Sequence, residues 1–286
     1  DVGGNLPEIL GYDEAKALIQ ESDSIYLKFG ADTNVYGVNK QREIQEIRRK
    51  AIGANLKLIE CPIRHLGTEE GYKIYTRFQN YLLEHNVTIK FNTMVEDILI
   101  ENQTVRGVIT HDGETYLAPE VVAAIGREGS DWFSHICKQH DIETEVGTVD
   151  IGVRVEVPNA VMDRLTTHLY EAKLVYYSDT FENKVRTFCM NPGGIVSEEH
   201  YDGEDGGIAV VNGHSYADED KRTENTNFAM LVSTEFTEPF HQPIEYGRYI
   251  AQLGNMLTGG GIMVQRLGDL LKGRRTDVSR LKKSTT

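Results

Sequence analysis

The stretch Val121 to Ile125 is wholly apolar and stops abruptly at Gly126, Arg127, Glu128 and Gly129. Such a run reads as a strand buried on both faces, and glycines at its carboxyl end permit close backbone approach. In open α/β sheets that edge is where ligands bind. Other chemistry is poorly supported by spacing. The three cysteines, Cys61, Cys137 and Cys189, are scattered and odd in number, which fits reduced thiols better than a disulfide framework. Cys61 with His65, and His135 with Cys137, have metal-like spacing, but neither has a second pair to complete four ligands, so no metal is expected. No G-x-S-x-G elbow supports hydrolysis, and no D-x-D-x-D-G loop supports calcium.

These residues need elements to position them. Asp13 before Ala15, Leu18 and Ile19 predicts a capped helix to about Ser22, and Ile44, Ile47 and Ala51 predict a second from Gln41 to about Ala54. Leu56 to Ile59 reads as a short strand, and Thr68 as the cap of a helix burying Tyr72, Tyr75, Phe78 and Leu82. A β-meander is expected over about 87–125, with strands at Val87 to Phe91, Val95 to Ile100, Val105 to Thr110 and on from Tyr116. Asp112-Gly113 supplies the tight reversal within it. From Val149 to Val157 apolar residues alternate with Asp150, Gly152, Arg154 and Glu156, a strand with one wet face. Further strands at 174–177, 185–190, 208–211 and 228–234, and a helix over 244–257, complete a β-rich second half.

The 286 residues carry a formal net charge of −14, unevenly spread. Glu198 to Glu224 is net −7 and reads as a loop-rich, solvated stretch, while Val264 to Lys283 is net +5. The acidic balance speaks against nucleic-acid binding. No apolar run approaches the roughly 18 residues that would span a bilayer, and the start DVGGNLPEIL has no signal-peptide pattern. A location in the cytoplasm, away from membranes, is the expectation.

Residues 68–132 resemble the middle of a flavin-binding domain of the two-dinucleotide-binding type. The segments IRHLGT (63–68), VDIGVRVEV (149–157), RTFCMNPGG (186–194), VNGHS (211–215), NTNF (225–228) and GGGIMVQRLGD (259–269) extend the likeness over essentially the whole chain. Together they are similar to the bacterial and archaeal FAD-dependent dehydrogenases often labelled NAD-utilising. The resemblance implies a mixed α/β fold: residues 1–148 as part of a Rossmann-like FAD/NAD(P)-binding domain, and residues 149–286 as a β-rich substrate or cap domain with covering helices. It implies a flavin oxidoreductase acting on a small-molecule substrate, with NAD(P)H as a candidate electron donor.

By the same resemblance Val95, Gly126, Arg127, Gly129, Arg64, Gly193 and Gly194 are candidates for FAD contact. Arg186, Cys189 and His214 are candidates for catalysis, Arg186 to stabilise negative charge and His214 to donate a proton, and Asn225 and Asn227 for substrate binding. Each has a plainer reading: Arg186 as a strand ion pair, Cys189 as a small buried apolar side chain, His214 as a turn residue, and the glycines after Asn191-Pro192 as a type II turn. No G-x-G-x-x-G occurs in the sequence. The expectation is therefore a central piece of a longer flavoprotein that binds FAD weakly or not at all by itself. The alternative is a non-catalytic ligand- or partner-binding module.

Overall fold

A computed structural model describes residues 6–126, 128–201, 207–237 and 239–285. In chain order its elements are α1 (Leu6–Leu10), α2 (Tyr12–Lys28), α3 (Gln41–Gly53), β1 (Lys57–Ile59), α4 (Gly67–Glu84), β2 (Val95–Glu101), β3 (Thr104–Thr110), β4 (Thr115–Leu117), α5 (Ser130–Gln139), β5 (Val149–Pro158), α6 (Asn159–Leu169), β6 (Lys173–Tyr177), β7 (Lys184–Asn191), β8 (Ile195–Tyr201), β9 (Ile208–His214), β10 (Asn225–Thr234), α7 (Pro243–Thr258) and α8 (Leu267–Leu270). The mixed α/β class is as expected. Two compact units are formed, one by residues 80–146 and the other by residues 1–79 with 147–286.

In the larger unit a five-stranded sheet runs in the order β1-β6-β7-β10-β5, and every pairing is antiparallel. Residues 1–79 thus contribute a strand, three helices and most of α4 to the unit that holds the second half of the chain. Ile44, Ile47 and Ala51 of α3 pack with Leu58, Leu169, Ala172 and Met190 to form its core. The 3.6-residue spacing read from sequence is therefore the spacing of buried contacts. Each large side chain buried there contributes about 1.5–3 kcal/mol.

The smaller unit holds the expected meander, β2-β3-β4, closed by the turn at Asp112-Gly113. Two of its expected strands are absent. Val87 to Phe91 and Val121 to Ile125 pair with no neighbour, and Val122 is 90% exposed. An apolar run describes what a buried strand would look like; burial itself requires flanking strands, and none lies beside these segments among the described residues.

Other differences have local causes. Gly11, not Asp13, precedes α2, and Asp13 sits in its first turn. On α4 the buried residue is Ile74, while Tyr72 is 76% exposed. Tyr75 and Phe78 pack in an aromatic cluster with Tyr26 and Phe29, the closest rings being Phe29 and Phe78 at 4.4 Å. The acidic 198–224 stretch is not mainly loop: Glu198 and Glu199 lie in β8, which pairs with β9 in a separate two-stranded ribbon.

The basic C-terminal stretch is organised around one buried carboxylate. Asp269 is 1% exposed and accepts from Arg274 Nε at 2.6 Å, Arg280 Nη1 at 2.7 Å and Thr276 Oγ1 at 3.0 Å. The hydrogen bond from Arg274, joined by those from Arg280 and Thr276, outweighs burial and holds its carboxyl at about 2. A depressed folded-state pKa means the stabilisation is complete above the unfolded value of about 3.9 and is lost as pH falls towards about 2. Asp269→Asn should open residues 266–280 to limited proteolysis at neutral pH, reproducing what acid does to the native chain. Equal cleavage of variant and wild type at pH 7 would refute the staple.

Candidate functional site

The site is built where β7 loses register with β10. Phe188 opposes Ala229 and Asn191 opposes Asn227, so Cys189 and Met190 span the distance that Phe228 spans alone on β10. This bulge places Cys189 at φ 49°, a left-handed conformation costly for a residue with a Cβ. Its backbone is held on both sides: the amide donates to Glu171 Oε1 at 3.0 Å, and the carbonyl accepts from Asn191 Nδ2 at 2.9 Å and Arg154 Nη1 at 3.2 Å. The chain then turns through Asn191, Pro192, Gly193 and Gly194. Gly193 has φ 62°, and the Gly194 amide closes the turn on the Asn191 carbonyl at 3.2 Å. Pro at the second position and positive φ at the third are what a type II turn requires.

Behind the bulge lies a buried polar network. Asn227 is fully buried, and its Oδ1 accepts from Arg154 Nη1 at 2.6 Å and Asn191 Nδ2 at 3.3 Å. Arg154 Nη2 reaches Asn212 Oδ1 at 3.4 Å, and Asn212 Nδ2 donates to Glu199 Oε1 at 2.6 Å. Arg154 Nε and Asn227 Nδ2 are buried donors without an acceptor. Gly213 makes the convergence possible, since a Cβ there would stand 2.1 Å from Asn227 Oδ1, 2.3 Å from Arg154 Nη1 and 2.5 Å from Asn191 Nδ2.

Adjoining this network is a second cluster. His65, in the loop before α4, has its Nε2 2.8 Å from Tyr170 Oη and 3.4 Å from Ser215 Oγ. The His65 and Tyr170 rings stack at 4.2 Å, and Tyr36 lies 5.0 Å from Tyr170 on another side. Burial first, then the Arg222 guanidinium, pushes the His65 imidazole below its ordinary range, against a smaller opposing effect of Glu69. The Ser215 hydroxyl is also a hydrogen-bond partner of the Tyr170 phenol, so the three polar groups form one cluster. Burial pushes the Tyr170 phenol up to about 12. The two loops that meet here are also tied by Thr68 N to the Ser215 carbonyl at 3.3 Å and by Asp218 N to Glu69 Oε1 at 2.8 Å.

The sequence-derived candidates divide. Cys189, Gly193, Gly194 and Asn227 gather at the bulge, and His214 joins them through its carbonyl, which a Cβ on Gly194 would meet at 2.3 Å. Arg186 does not join them. It is five residues before Asn191 on β7, donates to Asp150 Oδ2 at 2.7 Å and lies over the Phe188 ring, so its strand ion-pair reading describes its place. Asn225 donates to Glu156 Oε1 at 3.0 Å and to the Lys283 carbonyl at 2.6 Å, tying the C-terminal segment to the sheet. Val95, Gly126 and Gly129 belong to the smaller unit, where Val95 opens β2 opposite Thr110 and Gly129 precedes α5. Arg127 lies outside the described residues.

Four of the candidate FAD contacts are engaged with the protein itself. Arg64 gives Nε and Nη2 to Asp23 at 2.7 and 2.8 Å and Nη1 to the Asp32 carbonyl at 2.5 Å. The amides of Gly129, Gly193 and Gly194 go to Ile125 O, Asn159 Oδ1 and Asn191 O. The Arg64 side chain and these three amides thus have protein partners where a cofactor would need free donors.

Arg154 and Tyr170 were not legible as site residues. Arg154 sits on what alternation marks as the wet face of β5, and the network behind the bulge covers it. Tyr170 follows α6 with no neighbouring motif. Its only sequence signal is a bulky residue at a helix end, where Gly is usual.

One unit thus holds a three-stranded meander, and the other a bulged antiparallel sheet with helical cover. Residues 44–159 match the family model described as pyridine nucleotide-disulphide oxidoreductase, which carries the Rossmann-like dinucleotide-binding fold. Residues 148–286 match the model described as FAD-dependent protein, C-terminal domain-like. Together the two matches extend over residues 44–286 and make the chain similar to FAD-dependent proteins and pyridine nucleotide-linked oxidoreductases. An uncharacterized protein of Clostridium beijerinckii (strain ATCC 51743 / NCIMB 8052) is 25% identical over 228 residues, covering 73% of this chain and 41% of that protein. The chain thus spans under half the length of this curated relative.

Proposed function

We propose that the chain is part of an FAD-dependent oxidoreductase that passes hydride between a nicotinamide or organic substrate and the flavin, with NADH or NADPH as electron donor. The observation that carries this reading is the pair of adjoining family matches, one for each half of the chain. Residues 1–148 would serve the flavin-binding domain and 149–286 the substrate side, in a cytoplasmic protein. FAD supplies the redox chemistry in such enzymes, and protein groups supply orientation and electrostatics. Here the bulge residues Cys189, Gly193, Gly194, His214 and Asn227 are assigned to the substrate side.

Because the sequence has no G-x-G-x-x-G and Arg64, Gly129, Gly193 and Gly194 are engaged internally, the 286 residues are expected to purify without flavin and to bind added FAD weakly. A stoichiometric flavin spectrum in the purified chain would overturn this. The longer protein should be yellow and should bleach with NADH or NADPH under anaerobic conditions; a colourless product that cannot be reconstituted would remove the oxidoreductase reading.

A further inference from the structure

Tyr170 is held in a conformation the chain does not adopt without cause. At φ 59° and ψ −66° it occupies the centre of a γ-turn of the strained form, closed by the Glu171 amide on the Leu169 carbonyl at 2.7 Å. Backbone of this kind costs on the order of 1–3 kcal/mol and persists where surrounding contacts fix it, commonly at functional sites. Here the fixing contacts are the Thr166 carbonyl, which accepts from the Tyr170 amide at 2.8 Å, and the His65 and Tyr36 rings. The strain is repeated next door. Glu171, the residue after Tyr170, accepts from the amide of Cys189, the left-handed residue of the bulge. A phenol and the thiol-bearing bulge are thus presented together from two strained turns.

The side-chain arrangement gives the phenol a proton partner. His65 Nε2 stands 2.8 Å from the Tyr170 hydroxyl and 3.4 Å from the Ser215 hydroxyl, and in the relay inferred below Tyr170 is the donor. The groups that face this pair are Arg222 from the loop after β9, Glu69 from the first turn of α4, Tyr36 from the loop before α3 and Cys189 from β7. His65 is only partly buried, so the imidazole forms the solvent-facing edge of the cluster, whereas Tyr170 is its buried floor.

We infer that Tyr170 is the proton-transfer residue of the oxidoreductase proposed above, for a substrate that exchanges a proton at oxygen, and that His65 is the positioning residue holding the phenol's proton. The inference rests on that oxidoreductase reading. In the direction of proton removal, the substrate O–H bond breaks and its proton joins Tyr170 Oη. The phenolic proton crosses to His65 Nε2 in the same step, leaving an alkoxide and an imidazolium with total charge unchanged. The reverse transfers deliver a proton to a carbonyl or quinone oxygen. Because burial disfavours a free phenolate, the relay works only as a coupled pair, which is why the hydrogen bond to His65 matters more than either group alone.

Two measurements test this. In the 286-residue chain labelled with ¹⁵N-histidine, His65 should be the Nδ1–H tautomer at pH 7, and Tyr170→Phe should shift its Nε2 resonance. A protonated Nε2 would overturn the pairing. In the flavin-loaded longer protein, reduced with dithionite and mixed anaerobically with menadione, the return of visible absorbance should be about 100-fold slower in Tyr170→Phe. Menadione takes the reverse direction, which starts from the imidazolium, so the wild-type rate is expected to fall as pH rises towards about 6.5 and His65 gives up its proton, and His65→Asn should lose that fall. Wild-type flavin content with a Tyr170→Phe rate within twofold of wild type, or an unchanged pH profile in His65→Asn, would overturn the relay alone. A colourless longer protein would overturn the oxidoreductase reading and the relay with it.

Discussion

Gly213→Ala is expected to lower the stability of the larger unit by about 3 kcal/mol, seen as a fall in Tm of about 10 °C. The added methyl carbon would enter a space already held by three polar atoms, at 2.1 Å from Asn227 Oδ1, 2.3 Å from Arg154 Nη1 and 2.5 Å from Asn191 Nδ2. Ends of flexible surface side chains could swing aside at little cost. Asn227 Oδ1 accepts from both of the other two and Asn227 is fully buried, so moving it breaks both bonds, and moving either donor breaks one. The effect should extend to the bulge, because Asn191 Nδ2 and Arg154 Nη1 are the donors that fix the Cys189 carbonyl. Thermal unfolding and the rate of Cys189 alkylation are the measurements. A Tm within 2 °C of wild type would show that the network yields more easily than its geometry implies.

That glycine also illustrates what a sequence can and cannot disclose. The VNGHS motif drew attention to His214, a residue with titratable chemistry, whereas the constraint lies one position earlier in a residue with no side chain. The elements themselves were largely legible. The α3 stripe, the β2-β3-β4 meander and the β5, β7 and β10 strands all follow from local periodicity, which reports which face is buried. Periodicity does not report whether a neighbour exists, and Val87–Phe91 and Val121–Ile125 were misread for that reason. Nor does it report register. The one-residue slip between β7 and β10 lies at Cys189, whose carbonyl accepts from Arg154, and no local pattern encodes that slip. Arg64 shows the same limit in charge terms: an arginine near a glycine suggests an anion until Asp23, 41 residues away, is seen to hold it.

The network can be taken apart to show which of its members carries the cost. Arg154 is a half-buried cation whose acceptors are all uncharged: Asn227 Oδ1, the Cys189 carbonyl and Asn212 Oδ1. Replacing it by Met removes a charge that burial disfavours. It also leaves each acceptor another donor, Asn191 Nδ2 for the first two and the Gly213 amide for the third. Arg154→Met should therefore cost only about 1 kcal/mol. Asn227→Ala is the opposite case. It deletes the shortest hydrogen bond from the guanidinium while the charge stays in place, and a hydrogen bond to a charged group contributes about 1.5–3 kcal/mol. Asn227 also carries a buried amide donor without an acceptor, whose removal returns part of that cost, so about 2 kcal/mol is expected. The two changes should not add. With the cation already gone, Asn227→Ala leaves no charge stranded, and the double variant should be more stable than Asn227→Ala alone by about 1 kcal/mol. Urea unfolding of the four proteins measures this directly. A double variant less stable than either single one would mean that Arg154 contributes through its packing rather than its charge.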